Sequence, residues 1–474
     1  MKNYLHSFFV FIFLVLLTAC QQERNTKNQV KKNIDQGIKN WLAKTGIPSV
    51  SFVVFKEGHI ICSQAYGYTN LKSKTPATTA TIYNTGSNFK SVTATAIMQL
   101  HEKGLLNIDT PINEYLQEPI AIIDQENPIT PRQLMAHQSG IPSTVDMYKI
   151  WGRNPGRSLR TIAAAVKPIE KPNTKHIYSN DGYALLGILI EDVTGMSYEA
   201  YVWEHILKPL GIKTYGFVQP TPEMVEDLAL PYHMRYNKAF PTHQLHIEQY
   251  PAGDIFLKPE DMATFLMMHL NYGRHADKQL LSKENIQKMH RPNLEVVENF
   301  YYGLGFGIDK IKGKEYSYHQ GSLPGYLSVF QMDFETVSGV YIATNVNAAP
   351  MQEKQLNLLL KYLYAQLITK DTSVSLEIPS EGITATAIPK EISLQNYIGN
   401  YKIKGTSVSL TIDTIGNQLF LLNPSKERFR IDYLKSNYFF ITTENEEIEF
   451  GGADGSIDWL KLYSGGNEIT AIRE

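Results

Sequence analysis

Apolar residues between Val30 and Leu42 recur at helical spacing (Val30, Ile34, Ile38, Trp41, Leu42), and Gly46-Ile47-Pro48 stops that helix. Ser49 to Phe55, a Lys56-Glu57-Gly58 turn, and His59 to Tyr66 then read as a β-hairpin. Tyr68 to Ala80 is a Thr-rich loop. A helical pattern opens at Ser87 and ends at Lys103-Gly104, a glycine C-cap signal. A short helix is expected after Asp109-Thr110-Pro111, and another over Ile129 to Gln138 that runs into a turn at Ser139-Gly140. Residues 143 to 176 show no clear strand periodicity and are a candidate wall or lid.

Asn180 is the expected N-cap of a helix whose apolar face runs from Tyr183 to Val193 and which Gly195 ends. Val202 to Leu210, Pro259 to Leu270 and Ser282 to His290 read as further helices. From Tyr301 the period shortens to that of strands: Gly303 to Ile308, Tyr316 to Ser322, Leu327 to Met332 and Val337 to Asn345. Gln352 to Leu367 returns to helix. The expected fold class is α/β of the α+β type, an antiparallel sheet flanked by helices with an all-helical subdomain. After residue 392 short alternating segments, about eight strands in about 80 residues, predict a small all-β barrel. The expected divisions are an N-terminal segment over 1–20, a tether over 21–29, a main domain over 30–367, a linker over 368–392 and a β-barrel domain over 393–474.

Charge excludes one class of partner. Lys and Arg number 45 against 47 Asp and Glu, with no basic stripe, so nucleic acid is not an expected ligand. The N-terminus is a targeting segment: Lys2, an apolar run from Phe8 to Leu17 too short to span a bilayer comfortably, then Leu17-Thr18-Ala19-Cys20. A small-residue site ending in Cys resembles the bacterial lipobox. It implies a lipid-anchored protein of the bacterial cell envelope, facing the periplasm or exterior. With Cys20 lipidated, Cys62 has no partner for a disulfide and reads as a buried thiol on a strand. No His/Cys cluster has metal-ligand spacing.

The chemistry concentrates in Ser87-Asn88-Phe89-Lys90. In the first turn of a helix, positions i and i+3 share a face, so the lysine amine can touch the serine hydroxyl. A serine needs such a base, and a desolvated lysine can act as one. Two more motifs follow in order, Tyr178-Ser179-Asn180 and His319-Gln320-Gly321. His137 and Ser139 resemble a catalytic pair, but the histidine reads as structural, because neighbouring positions at a helix end do not face each other.

These motifs resemble the serine β-lactamase-like superfamily, on the side of class C β-lactamases, D,D-carboxypeptidases, D-aminopeptidases and related esterases. The matching flanks are Ala65-Tyr66-Gly67, Leu134 to Gly140, Lys208 to Gly211 and Pro251-Ala252-Gly253-Asp254. The C-terminal block resembles the lipocalin-like β-domain often appended to such enzymes. The resemblance implies Ser87 as nucleophile and Lys90 with Tyr178 as the proton-transfer pair, either being the base. It implies Asn180 as the residue that binds the substrate amide and holds Lys90, and the N–H groups of Ser87 and Ser322 as the oxyanion hole. It implies no metal or organic cofactor, and a small-molecule or peptide substrate. Many β-lactamases carry Lys-Thr-Gly where His319, Gln320 and Gly321 stand here. A histidine with an ordinary pKa near ~6.5 is no permanent clamp for a carboxylate, although protonation below that pH would favour anionic substrates. The expected activity is therefore a peptidase on D-amino-acid peptides or an esterase, with β-lactamase as the alternative and a non-catalytic envelope ligand binder as a further one. A Gly-x-Ser-x-Gly nucleophile elbow, which an α/β-hydrolase would need, is absent.

Overall fold

A computed structural model describes residues 29–474 apart from 121–125, 144–147, 151–157, 236–237, 348–349, 377–388, 390–391 and short turns at 407, 417, 425–427, 436, 442–445, 453–455 and 465–466. The expected signal peptide, Cys20 included, all of the tether but residue 29, and residues 377–388 and 390–391 of the linker lie outside the described residues.

The predicted hairpin is present, as Ser49–Lys56 paired with His59–Asn70. Its first strand also pairs antiparallel with Ser338–Thr344, so the two ends of the 30–367 region share one sheet. That sheet has nine strands, in the spatial order Leu294–Val297, Phe300–Tyr302, Gly307–Ile311, Lys314–Leu323, Tyr326–Asp333, Ser338–Thr344, Ser49–Lys56, His59–Asn70 and Thr75–Pro76. The last two strands take residues 68–70 and 75–76 out of the expected 68–80 loop.

Side-chain alternation along Ser49–Lys56 sends apolar residues to both faces. Val50, Phe52 and Val54 pack with Ile34, Ile38 and Trp41 of the 29–45 helix and with Leu356, Leu359 and Leu363 of the Pro350–Tyr364 helix. Val53 and Phe55 join the larger core beneath the helical block. In that block the Lys90–Glu102 helix is buried from Lys90 through Leu100, which suits a helix enclosed on all sides.

Several boundaries differ from the sequence expectation. Ser87 does not open the α-helix. It lies in a 3₁₀ turn over Gly86–Phe89 that leads into it. Residues 143–176 hold a short strand, Tyr148–Ile150, paired with Leu245–Ile247, and a helix, Leu159–Ala165. The helix expected from Val202 starts at Tyr198 and widens to a π-turn over Trp203–Leu207. Another π-turn carries the last helix of the 30–367 region to Thr369. The C-terminal region is a closed eight-stranded antiparallel barrel around Tyr401, Ile412, Phe439, Ile448 and Leu460. Its first and last strands, Gly399–Ile403 and Asn467–Arg473, had no distinct sequence signal, and they pair with each other to close it.

Candidate active site

The site forms where the Gly86–Phe89 turn is pressed between the Lys314–Leu323 strand and the loop before Ile255. Three glycines make that approach possible. A Cβ on Gly321 would stand 2.0 Å from Thr85 O, and one on Gly86 would stand 2.4 Å from Ser322 N. One on Gly253 would lie 2.5 Å from Gly86 O. The turn is also pinned by side chains. Ser328 Oγ donates to Thr85 O at 2.7 Å, and Asn84 Oδ1 accepts from Gly86 N at 2.9 Å. Asn84 is held in turn by the buried Asp254, whose Oδ1 accepts from Asn84 Nδ2 at 2.7 Å and whose Oδ2 accepts from Ile247 N at 2.9 Å. Burial pushes the Asp254 carboxyl up to about 7.

Lys90 follows this turn at the start of its helix and is fully buried. Positions i and i+3 nearly eclipse in a 3₁₀ turn, which brings Nζ to 3.0 Å from Ser87 Oγ. Nζ also donates to Asn180 Oδ1 and to Ala252 O, each at 2.7 Å. Burial holds its pKa well below the usual lysine range. Tyr178 stands over the same amine, with Nζ 4.8 Å from its ring centroid, and is 39% exposed.

Asn180 reaches Lys90 because it is not the cap. Ser179 occupies that position in an extended conformation, and its Oγ accepts from Gly182 N at 2.8 Å. Ser143 Oγ accepts from Asn180 N at 2.8 Å, leaving the amide side chain for the lysine.

His319 differs most from expectation. It is 6% exposed, with Nε2 2.6 Å from Tyr302 Oη and Nδ1 2.7 Å from Gln320 O. The carbonyl can only accept, so Nδ1 carries the proton, Nε2 accepts from the phenol, and the ring is neutral. Burial, and then the nearby Lys90, push its pKa down to about 3. A histidine that charges near neutrality is therefore not available at this position.

The structure thus brings together Ser87, Lys90 and Asn180 by direct contact, and sets Tyr178, Gly321 and Ser322 around them. Sequence reasoning had no role for Tyr302, Ser143 or the Ala252 carbonyl. Ala252 lies in a flank it had singled out, but a main-chain contact leaves no side-chain signature. Among the described residues, no group of three or more His, Cys, Asp or Glu could hold a metal ion. None of the described helices is long and apolar enough to cross a membrane.

Protein flp of Staphylococcus aureus (strain MW2) is 27% identical over 328 residues, 68% of this chain. That match spans only 64% of the staphylococcal protein. The putative penicillin-binding protein PbpX of Bacillus subtilis (strain 168) is 28% identical over 365 residues, covering 72% of this chain and 86% of PbpX. Among solved structures, the octameric penicillin-binding protein homologue from Pyrococcus abyssi aligns with a TM-score of 0.61 at 25% identity, over 92% of this chain and 99% of the other. D-amino acid amidase from Ochrobactrum anthropi SV3 aligns with a TM-score of 0.57 at 22% identity, over 67% of this chain and 91% of the other, and shares the fold. The Beta-lactamase family model matches residues 30–364, the whole of the region that builds this site, and the chain belongs to that family.

Proposed function

We propose that the protein is a serine hydrolase that forms an acyl-enzyme on Ser87 and hydrolyses small amides or esters, with D-amino-acid peptides or amides as the leading substrate class. The observation that carries this reading is the set of contacts around Lys90. Two of its three partners, Asn180 Oδ1 and Ala252 O, can only accept hydrogen bonds. A neutral Lys90 amine has two N–H groups, and both are taken by those acceptors. Its lone pair is then left facing the Ser87 hydroxyl at 3.0 Å. The lowered pKa supports the neutral form.

In the reaction, Ser87 Oγ bonds to the substrate carbonyl carbon as its proton passes to Lys90. The resulting ammonium has three N–H donors for three acceptors. The N–H groups of Ser87 and Ser322 are the assigned donors to the oxyanion, and the close approach of Gly86 to Ser322 N supports that assignment. The C–N or C–O bond to the leaving group breaks as that group takes up a proton through Lys90 and Tyr178. Water then attacks the ester, its proton returning by the same groups, and Ser87 is restored.

The neutral, internally bonded His319 supports an amidase, peptidase or esterase over a β-lactamase, since it offers no cation to a β-lactam carboxylate. The D-amino acid amidase from Ochrobactrum anthropi SV3 and the D-stereospecific amidohydrolase from Streptomyces sp. share this fold, which agrees with that substrate class. The test is intact-protein mass spectrometry of residues 21–474 exposed separately to a fluorophosphonate and to a penicillin. A single adduct that Ser87→Ala abolishes is expected. Rapid turnover of penicillin would return the β-lactamase reading, and no adduct from either probe would favour a non-catalytic binder.

From its sequence we further propose a lipid anchor on Cys20. Cells fed an alkyne fatty acid should label the full-length protein and not the Cys20→Ala variant.

A further inference from the structure

Tyr178 belongs to a short connection rather than to a helix or strand, yet its phenol has to meet the proton traffic around Lys90. Something must hold it. The residues on either side of it both bond to one other residue, His137. The main-chain oxygen of His137 accepts from Ile177 N at 2.8 Å, and its Nδ1 accepts from Ser179 N at 3.1 Å. Between these two bonds the imidazole lies against the tyrosine ring, with centroids 4.3 Å apart.

The imidazole is itself over-determined. It is fully buried, in a box closed by Tyr183 at 5.3 Å and Tyr302 at 4.8 Å between ring centroids. Because Nδ1 accepts, the ring proton is on Nε2, which has no hydrogen-bond partner. The backbone of His137 is left-handed, with φ +56°, a conformation that costs a non-glycine residue energy and that surrounding structure must enforce. Here the enforcement is visible: Asn173 N bonds to Gln138 O at 2.8 Å, and Ile169 N to Gly140 O at 2.9 Å. The 137–140 turn is therefore docked against the segment that leads into Tyr178. A strained conformation, an orphaned ring N–H and two bonds that bracket one tyrosine are more than a core histidine needs.

We propose that His137 is a positioning residue for the reaction at Ser87: it clamps the connection on both sides of Tyr178 and fixes where the phenol stands relative to Lys90. This rests on the reading of Tyr178 as part of the proton-transfer pair. A displacement of about 1 Å in such a group can cost about 10²-fold in rate.

Two substitutions separate the clamp from plain packing. His137→Phe keeps a ring in the box but removes the acceptor for Ser179 N. His137→Asn loses the ring but keeps an acceptor, and asparagine tolerates the left-handed conformation better than other non-glycine residues. Tyr178→Phe is made alongside, and rates are normalised to the fraction of Ser87 that a fluorophosphonate can label. His137→Phe should lower kcat by about 10²-fold with KM within about twofold, and His137→Asn should restore most of it. Equal losses in both His137 variants, or lower thermal stability with kcat unchanged, would overturn the clamp while leaving the Ser87 mechanism intact. A Tyr178→Phe enzyme as fast as the wild type would instead overturn the reading on which the clamp rests. Should neither His137 variant fold, nitrogen-15 NMR of the unmutated protein decides: a protonated Nδ1 on His137 would rule the clamp out, and an unprotonated, hydrogen-bonded Nδ1 would support it.

Discussion

Lys90 Nζ stands 2.7 Å from the main-chain oxygen of Ala252, a residue 162 positions further along the chain. That oxygen cannot be removed by substituting a side chain, and it cannot donate. It fixes one N–H of the amine permanently, and Asn180 Oδ1 fixes another. The direction of the lysine lone pair is thus set by the fold around it.

The protonation state of Lys90 should then govern the acid side of the pH profile. Its pKa is depressed by burial, so kcat/KM should rise with pH through a value well below the usual lysine range. Asn180→Asp puts a carboxylate in place of the amide, favours the ammonium and moves that rise to higher pH. Activity at pH 7 should fall by roughly tenfold or more. A pH–rate series on both proteins checks this, and an unmoved limb would remove Lys90 from the role of base.

His319 should contribute no titration near neutrality. Its ring nitrogens are committed to Tyr302 and Gln320, and its pKa is pushed down to about 3. Matched anionic and neutral substrates should therefore show parallel kcat/KM profiles from about pH 5 to 8. A selective gain for the anionic substrate on acidification would show that the imidazole can charge in the working enzyme.

Gly321→Ala should disable the oxyanion site while leaving the Ser87 hydroxyl and the Lys90 amine chemically unchanged. The added Cβ would stand 2.0 Å from Thr85 O, so the strand or the turn must shift. Loss of one donor costs about 3 kcal/mol of transition-state stabilisation, about 10²-fold in kcat. Stopped-flow acylation kinetics measure it, and a rate within about threefold of wild type would move the oxyanion hole elsewhere.

Asp254 should make stability depend on pH in an unusual direction. An acid whose folded pKa is raised holds its proton in the fold after the unfolded chain has released it. Its contribution is present below about pH 4 and is lost as pH rises through its folded value of about 7. The melting temperature should fall between pH 5 and 8, and Asp254→Asn should reduce that slope. The variant should also lose about 1–3 kcal/mol, because its NH₂ would face either Ile247 N–H or the Asn84 amide donor. A slope identical to wild type would place the responsible group elsewhere.

The sequence by itself determined what depends on neighbours within a few residues. The 49–66 hairpin, the Gly195 helix end and the Ser87/Lys90 pairing follow from period, turn residues and i, i+3 spacing. The order of the three motifs was enough for the family. Tertiary structure decided the rest, because it depends on groups far apart in the chain. Ser179, and not Asn180, caps the 180–194 helix, since Lys90 and Ser143 compete for the asparagine. His319 is neutral because Tyr302 and burial hold it so, and composition says nothing of burial. The first and last strands of the barrel carry a weak period of their own and become strands by pairing with each other at closure, about 70 residues apart. Local physics wrote the elements and the Ser87/Lys90 pairing, and only long-range packing could set which atom faces which.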